Sequence, residues 1–597
     1  MMTSTLAKRM EDENMNLNVS KRNGRTYLYI ERKYWDKENK KIRSTNVRIL
    51  GYLDALEKEY DDPIAHFKRV AFEMTEEEKT QRSMTLPLNL SETLKLESDR
   101  RFNLGYAIIL KIFYQLQLDR FLYNKARHEN FDFNTCSIMI LLIVSRLLSP
   151  GSKKKAFEEK EQYFERFDFT LADVYRSLSH FAAIRTEIQR YVSEQAADQY
   201  GRDTHIVYYD VTNFYFEVDT EDGIRKRGKS KEGGKSPIVQ MGLAMDADGL
   251  PLHYELFPGN TLDKQTFRSV IGEVRRNYNT GRIIAVADMG IITGDNIYYL
   301  KGGDRDTRMN GYVFSFSIRG GTEEFKGYAL SEDGYTRNDG SSVGEDADFK
   351  IKTRYATREI HVTMQNGRTI KKLIDEKQVV FWSKKYADKA KAERDVMVKK
   401  AQDIITNPRR YSKGTTYGAD KYIRDISYDK NTGEIIPTGQ SLSFDIEKLA
   451  EEEKYDGYYA IVTSELEMST QDIIDTYRGL WEIEESFRIS KGTLEIRPVY
   501  LSLEERINAH ILICFLSLVI LRIIQKKTQK RFSAEQITDC LERINGTLEE
   551  ENLYLFDYRS LISDAVGAAF DIDFTKKRLR LGEIKKILAC AKNREIS

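Results

Sequence analysis

His205-Ile206-Val207-Tyr208-Tyr209-Asp210-Val211 is the stretch on which the fold turns. Before it, apolar residues recur at helical spacing. From here β-branched and aromatic residues run together, as they do in a strand. A second β-prone run spans Ile238 to Met245, and Asp246-Ala247-Asp248-Gly249 reads as a tight turn into a strand through Leu252-His253-Tyr254-Glu255-Leu256-Phe257. The three segments predict an antiparallel meander. Thr266 to Tyr278 predicts a helix. Ile283-Ile284-Ala285-Val286-Ala287-Asp288 is continuously apolar up to its last residue, the pattern of a strand buried on both faces. Strands, then a helix, then a strand predict a mixed α/β sheet.

Towards the C-terminus the pattern changes at Gly320. Residues 321–454 are rich in Gly, Asp, Lys and Tyr, with β-like alternation at Glu359-Ile360-His361-Val362-Thr363-Met364. The spacing predicts a helix over Lys384 to Ile405 and a hairpin from Tyr422 to Phe444 around Asn431-Thr432-Gly433. Tyr458-Tyr459-Ala460-Ile461-Val462-Thr463 returns to a buried-type strand, and a helix follows from Ser469 to Lys491 with Ser469 as N-cap. A polar β-rich block between two core-type strands reads as an insertion into one α/β domain. Towards the N-terminus, residues 104–200 hold helical patterns, including Ser137 to Leu148 and Leu171 to Ala197. Residues 54–80 read as a charged helix and 17–53 as short strands. Six segments follow: a β-rich and helical start (1–95), a helical domain (96–200), the first part of the α/β domain (201–320), the β-rich insertion (321–454), the second part with a glutamate-bearing helix (455–530) and a helical end (531–597).

Across 597 residues, 41% are hydrophobic and 31% charged, a globular composition. The first fourteen residues lack the apolar run of a secretory signal. The longest mostly apolar run, Ile511 to Leu521, is too short to span a bilayer and reads as a buried helix, so no membrane partner is expected. Cys136, Cys514, Cys540 and Cys590 are scattered. That argues against a disulfide framework and a zinc finger, and for a reducing cytoplasmic setting. With 94 basic and 93 acidic residues, bulk charge does not point to nucleic acid. The clusters at 225–231, 526–531 and 576–580 could neutralise phosphates, although solvated surface charge is the ordinary account of each.

Three acids stand in unusual settings. Asp210 closes one hydrophobic strand, Asp288 ends another, and Glu484 lies inside a helix carrying Tyr477, Trp481, Phe487 and Lys491. Taken singly, each is explained as a turn residue or a helix-surface residue. Taken together they suggest a cation site. Two carboxylates ~4 Å apart repel by roughly 4 kcal/mol at an effective dielectric of 20, and three would stay partly protonated unless a cation neutralised them. A hard divalent metal with oxygen ligands suits them: magnesium, with manganese as a substitute. None of the seven histidines is paired at ligand spacing, and His253 and His510 read as core or surface residues. Trp481 reads as core packing.

Tyr209-Asp210-Val211-Thr212-Asn213-Phe214-Tyr215-Phe216, Phe257-Pro258-Gly259-Asn260-Thr261 and Val286-Ala287-Asp288-Met289-Gly290 resemble blocks of the IS4-type DDE transposases, closest to the IS1634-like group. Tyr477 to Lys491 resembles that family's Y-x2-R-x3-E-x6-K signature, with Tyr477, Glu484 and Lys491 at signature positions. Leu480 stands where the arginine is usual, and Arg478 is the nearby candidate to replace it. The resemblance runs from about residue 200 to 520. It implies a ribonuclease-H-like catalytic domain with Asp210 on its first strand, Asp288 near its fourth and Glu484 on the helix after the last. It also implies a β-rich insertion between the second Asp and the Glu. Asp210, Asp288 and Glu484 would be the catalytic, metal-holding residues, with Tyr477, Arg478, Arg488 and Lys491 supporting them or contacting phosphates.

The activity so implied is that of an insertion-sequence transposase of cut-and-paste type. Two metal ions would assist water to break a phosphodiester at the element end. The freed 3′-hydroxyl would then attack the opposite strand or target DNA. The partners would be double-stranded DNA, both terminal inverted repeats and target, bridged by a homodimer in the prokaryotic nucleoid. The N-terminal and helical regions would bind the repeats. Three rivals are a ribonuclease-H-like nuclease without joining activity, an inactive DNA-binding relic, and a paired-carboxylate glycosidase that needs no metal.

Overall fold

The computed structural model describes residues 15–594 except 23, 37–40, 61, 81–90, 92, 94, 95, 97–99, 128, 130, 217–219, 229–235, 279, 304–309, 338, 344–346, 365, 408–417, 425, 426, 429–434, 437–441, 498–500, 502 and 551. The chain divides into two compact units, Met1–Ser98 and Asp99–Ser597.

In the first unit β1 (Met15–Arg22), β2 (Arg25–Asp36) and β3 (Lys41–Tyr52) form an antiparallel meander. Gly24, at φ 79°, occupies the tight turn between β1 and β2, a backbone conformation that costs glycine little. The helix Pro63–Thr80 covers one face of this sheet, where Met15, Ile30 and Ala71 form the core.

In the second unit the short β4 (Arg101–Asn103) precedes, among the described residues, six α-helices and one 3-10 turn, the last helix being Arg185–Tyr200. Then come β5 (Ile206–Tyr215), β6 (Ile238–Met245) and β7 (Pro251–Pro258), the antiparallel meander expected from the sequence. The helix Asp263–Asn277 leads to β8 (Ile284–Ala287) and, beyond the helix Gly294–Leu300, to β9 (Gly311–Phe316). β5, β8 and β9 run parallel. β10 (Phe349–Thr363) and β11 (Thr369–Ser383) form a long hairpin, and β16 (Tyr458–Thr463) bonds between β11 and β9. The whole sheet has the order β10-β11-β16-β9-β8-β5-β6-β7. Much of the strand structure in 321–454 therefore extends the main sheet. The remaining pairs there are short: β12 (Ile423–Arg424) with β15 (Ser443–Phe444), and β13 (Ser427–Tyr428) with β14 (Ile435–Ile436). The expected turn at Asn431-Thr432-Gly433 lies outside the described residues.

Alternation along β5 sorts the two sheet faces. Val207, Tyr209 and Val211 join a core with Phe267, Val270 and Ile297 from the helices Asp263–Asn277 and Gly294–Leu300. Tyr208 and Phe214 join the larger core on the other face. That larger core also takes in the helices of residues 106–200, the helix Glu504–Lys527 and the C-terminal helices. A four-stranded sheet, β19 (Arg578–Arg580), β18 (Leu553–Phe556), β17 (Asn545–Glu550) and β4 in that order, ties residues 101–103 to the C-terminal segment. Glu504–Lys527 is long and apolar enough to cross a membrane, but 94% of its most apolar window lies inside the protein. The run Ile511 to Leu521 sits within it.

Three expected helices differ from their reading. Residues 54–80 hold a short helix, Leu53–Leu56, and then the helix Pro63–Thr80, which starts at its proline. Leu171 to Ala197 is two helices, Leu171–Ala183 and Arg185–Tyr200, hinged at Ile184. Ser469 to Lys491 is also two, Thr470–Arg478 and Trp481–Lys491, joined through tight i to i+3 bonds at Gly479 and Leu480. Glycine is required at that joint. A Cβ on Gly479 would lie 1.9 Å from the Tyr208 hydroxyl.

Candidate active site

Sheet register brings the two aspartates together. Tyr208 of β5 pairs with Val286 of β8, and Ala287 pairs with Phe314 of β9. Continued by two residues on β5 and one on β9, the same registers set Asp210 and Ser315 on either side of Asp288. By alternation these side chains share the sheet face of Tyr208, Val286 and Val313. The Ser315 hydroxyl donates to Asp288 Oδ1 at 2.6 Å, and the Met289 N–H donates to the same oxygen at 2.8 Å. Asp210 Oδ1 accepts from the Val211 N–H at 2.7 Å. Both aspartates are half-buried.

The helices Thr470–Arg478 and Trp481–Lys491 lie over this face. Ser469 caps the first by accepting from the Asp472 N–H at 3.1 Å, as expected. The Tyr477 hydroxyl reaches Asp288 Oδ1 at 3.4 Å, and its ring lies 6.2 Å from that of Tyr459 on β16. Burial raises the Tyr477 pKa, followed by the neighbouring Tyr459 and Asp288, so this phenol keeps its proton. Burial also raises that of Tyr459, and the charges of Asp288 and Glu484 add to the effect. Asp288 and Glu484 thus act on the same tyrosine from two elements.

The helix Trp481–Lys491 carries three glutamates, and their partners separate them. Glu482 is buried, ion-paired with Lys530 and 3.4 Å from Arg522. Glu485 bonds Arg522 at 2.8 Å. Arg522, 3% exposed on the helix Glu504–Lys527, also donates to Ser486 Oγ at 2.7 Å and to the Glu482 carbonyl at 2.8 Å. Glu484 is exposed and makes no hydrogen bond or ion pair among the described residues. Of the three it is the carboxylate left available to a ligand. Among the described residues, no three His, Cys, Asp or Glu side chains are grouped closely enough to hold a metal ion as they stand.

The supporting residues are placed unevenly. Leu480, at the usual arginine position, is buried, whereas Arg478 is exposed and paired with Asp475 at 3.3 Å. Arg488 is exposed, 3.6 Å from Glu485. Lys491, half-exposed, ends the glutamate helix. Trp481, read as core, is instead 52% exposed, because the helix turns Ile483, Phe487 and Ile489 inward. The basic clusters are partly occupied by acids: Arg225 with Asp222 at 2.7 Å, Lys526 with Asp248 at 2.7 Å, Arg578 with Glu549 at 2.8 Å. Lys229 to Lys231 lie outside the described residues.

Sequence reasoning missed Ser315, Tyr459 and Arg522. Ser315 closes a β-type run and Arg522 interrupts an apolar helix, but only the register and helix packing reveal what they touch.

A family model described as transposase DDE domain matches residues 202–520. No curated protein matches the chain. Among solved structures, the piggyBac transposase synaptic complex with hairpin DNA aligns at 9% identity over 83% of this chain and 86% of that one, with TM-score 0.31. The Mos1 transposase paired-end complex with left transposon end aligns at 11% identity over 37% of this chain and 60% of that one, with TM-score 0.11.

Proposed function

The chain belongs to the transposase DDE-domain family, and from that premise we propose that it cuts and joins DNA at the ends of an insertion sequence through Asp210, Asp288 and Glu484. The observation that carries this reading is the register that sets Asp210 beside Asp288, below a helix whose one available glutamate is Glu484. The strand order β7-β6-β5-β8-β9, with the first strand parallel to the fourth and fifth, supports a ribonuclease-H-like reading of the sheet.

The donor set is all carboxylate oxygen, which suits magnesium or manganese and no softer ion. Asp210, Asp288 and Glu484 would hold the metal. When bound, such ions activate the attacking oxygen and offset charge on the leaving one. The chain's own residues do the rest. Ser315 and the Met289 N–H fix one oxygen of Asp288 and so aim the other. The protonated Tyr477 adds a weak donor to the fixed oxygen. Arg522 and Lys530 draw Glu482 and Glu485 away and leave Glu484 to face the substrate. Arg478, Arg488 and Lys491 are the cations nearest in sequence for phosphate contacts. Double-stranded DNA with inverted repeats would be the substrate, and a homodimer would bridge its two ends.

The test is magnesium-dependent cleavage and joining of a duplex carrying the short inverted repeats that flank the gene, native protein against Glu484→Gln. Loss of both steps in the variant supports the reading. Equal activity in both removes Glu484 from the site. Cleavage without joining by the native chain leaves a nuclease in place of a transposase.

A further inference from the structure

The helix Asp263–Asn277 buries Phe267, Val270, Ile271 and Val274 against the sheet and carries its four cations outside that face. Lys264, Arg268 and Arg276 are exposed and Arg275 is half-exposed. At about 3.6 residues per turn, Lys264, Arg268 and Arg275 fall within roughly 40° of one another and span about 16 Å. The two acids of the helix are engaged: Asp263 accepts from the Gln240 amide at 3.3 Å, and Glu273 from Arg276 at 3.3 Å. Lys264, Arg268 and Arg275 make no ion pair among the described residues. Arginines in the last turn offset the helix dipole, but Lys264 stands in the first turn, where that dipole disfavours a cation. The helix begins at the end of the sheet where Asp288 follows β8, because β7 and β8 run in one direction. There the Asn296 amide donates to the Lys264 carbonyl at 3.0 Å and to the Ile291 carbonyl at 2.8 Å. At its other end is a cleft of about 240 Å³ lined by Gly272, Arg275, Arg276, Thr280, Gly281 and Tyr299. The Arg275 guanidinium lies 5.7 Å from the centre of the Tyr299 ring. Thr280 is 3% exposed, and its hydroxyl has no hydrogen-bond partner among the described residues. Gly272, a residue that weakens a helix interior, keeps the cleft open. A Cβ there would lie 2.7 Å from the Tyr299 hydroxyl and 3.1 Å from an Arg276 nitrogen.

We propose that this helix and the cleft at its end form a track for the phosphate backbone of duplex DNA, running away from Asp288 on the sheet face opposite the Glu484 helix. The inference rests on the transposase reading above. Phosphates of one strand recur every ~3.4 Å along the duplex axis, so the track matches roughly five of them. Lys264 and Arg268 act as point charges along it. The cleft holds one phosphate more closely: a guanidinium fork suits its oxygens, and the Thr280 and Tyr299 hydroxyls are the neutral donors such a group accepts from. No base edge is read, so the contact is the same on every sequence.

The experiment measures the affinity of the full-length chain for labelled duplexes of unrelated sequence over a range of salt. K264A/R268A/R275A should lower the slope of log affinity against log salt by about three, equally on every duplex. K264R/R268K/R275K keeps the charges and should keep the slope. Thr280→Val replaces an unpartnered buried hydroxyl by a methyl of similar shape, so melting temperature should not fall, while duplex affinity falls about tenfold with the lost phosphate contact. An unchanged slope in the alanine variant overturns the track and leaves the transposase reading intact. A slope lost equally in the charge-keeping variant also overturns it, since the residues then act through the fold. Calorimetric titration with inorganic phosphate tests the other source of the same chemistry. Heat that Arg275→Ala and Thr280→Val abolish, with duplex affinity still native, assigns the cleft to a small free anion and overturns DNA as its occupant. A native chain that binds no duplex at all overturns both readings.

Discussion

Glu482, Glu484 and Glu485 lie within four residues of one another, and the side chains around them decide what each can do. Glu482→Gln breaks a buried pair and leaves Arg522 under-compensated, so it should lower stability by about 3 kcal/mol or more. Glu484→Gln should leave the denaturant midpoint unchanged and abolish strand cleavage. Denaturation curves read beside single-turnover cleavage separate the two effects; a stable, inactive Glu482→Gln would reverse the assignment. Ser315→Ala removes the 2.6 Å bond to Asp288 and nothing large from the core. Loss of a partner that orients a ligating carboxylate costs roughly 10–100-fold, so cleavage at limiting magnesium should fall by that factor and recover in part at high magnesium.

Among elements, the joint at Gly479 couples the glutamate helix to β5. Gly479→Ala forces a methyl onto Tyr208, two residues before Asp210, at a cost of about 1–3 kcal/mol for overpacking. Cleavage should drop at least about tenfold as Glu484 shifts against Asp210. Wild-type cleavage in that variant would show that the two elements move independently. The helix Lys153–Glu158 meets the core helix through Lys153 Nζ, which donates to His510 Nδ1 at 3.0 Å, while His510 Nε2–H donates to the Ile496 carbonyl at 3.0 Å. Burial pulls the Lys153 pKa down to about 7 from 10.5. Between those values the unfolded chain binds a proton that the folded chain does not, so this lysine makes stability rise with pH from about 7 to 10.5. Below about 7 its cost, on the order of a few kcal/mol, is fully present. Lys153→Met should flatten that slope in melting curves taken across the range.

The elements legible in the sequence were those with one strong local pattern: the meander from Ile206 to Pro258, the apolar β8 and the helix Lys384–Thr406. Asp288 was legible because it directly follows the apolar β8, and Asp210 because it is the one acid in an apolar run; read as closing its strand, Asp210 stands instead in the middle of β5, which continues to Tyr215. The bend at Gly479 was not, because helical periodicity on either side continues through it and the steric demand comes from Tyr208, some 270 residues away. The pairing of β10 and β11 with β16 was hidden for a similar reason: alternation marks a strand without naming its neighbour. Ser315 and Arg522 stand out locally as polar residues in apolar runs, but nothing local names their partners, which come from other elements.

Over the whole molecule, protection against hydrogen exchange should follow burial. Amides of Glu504–Lys527, nearly all inside the larger core, should exchange slowest. Those at the outer end of the β10–β11 hairpin, where exposed residues such as Glu359 and Leu373 alternate with buried ones, should exchange orders of magnitude faster. Mass spectrometry of deuterated peptides would show this, and equal protection in both would contradict it. The buried core helix also sets a schedule for synthesis. The helices of residues 106–200 leave the ribosome first, yet the helix that fills the space between them begins about 320 residues after Ala183. At roughly 5–20 residues per second their apolar faces wait from a quarter of a minute to a full minute for that partner. A nascent chain of this protein should therefore hold apolar surface open to chaperones until the helix Glu504–Lys527 is made, and a chain cut short before Glu504 is expected to aggregate.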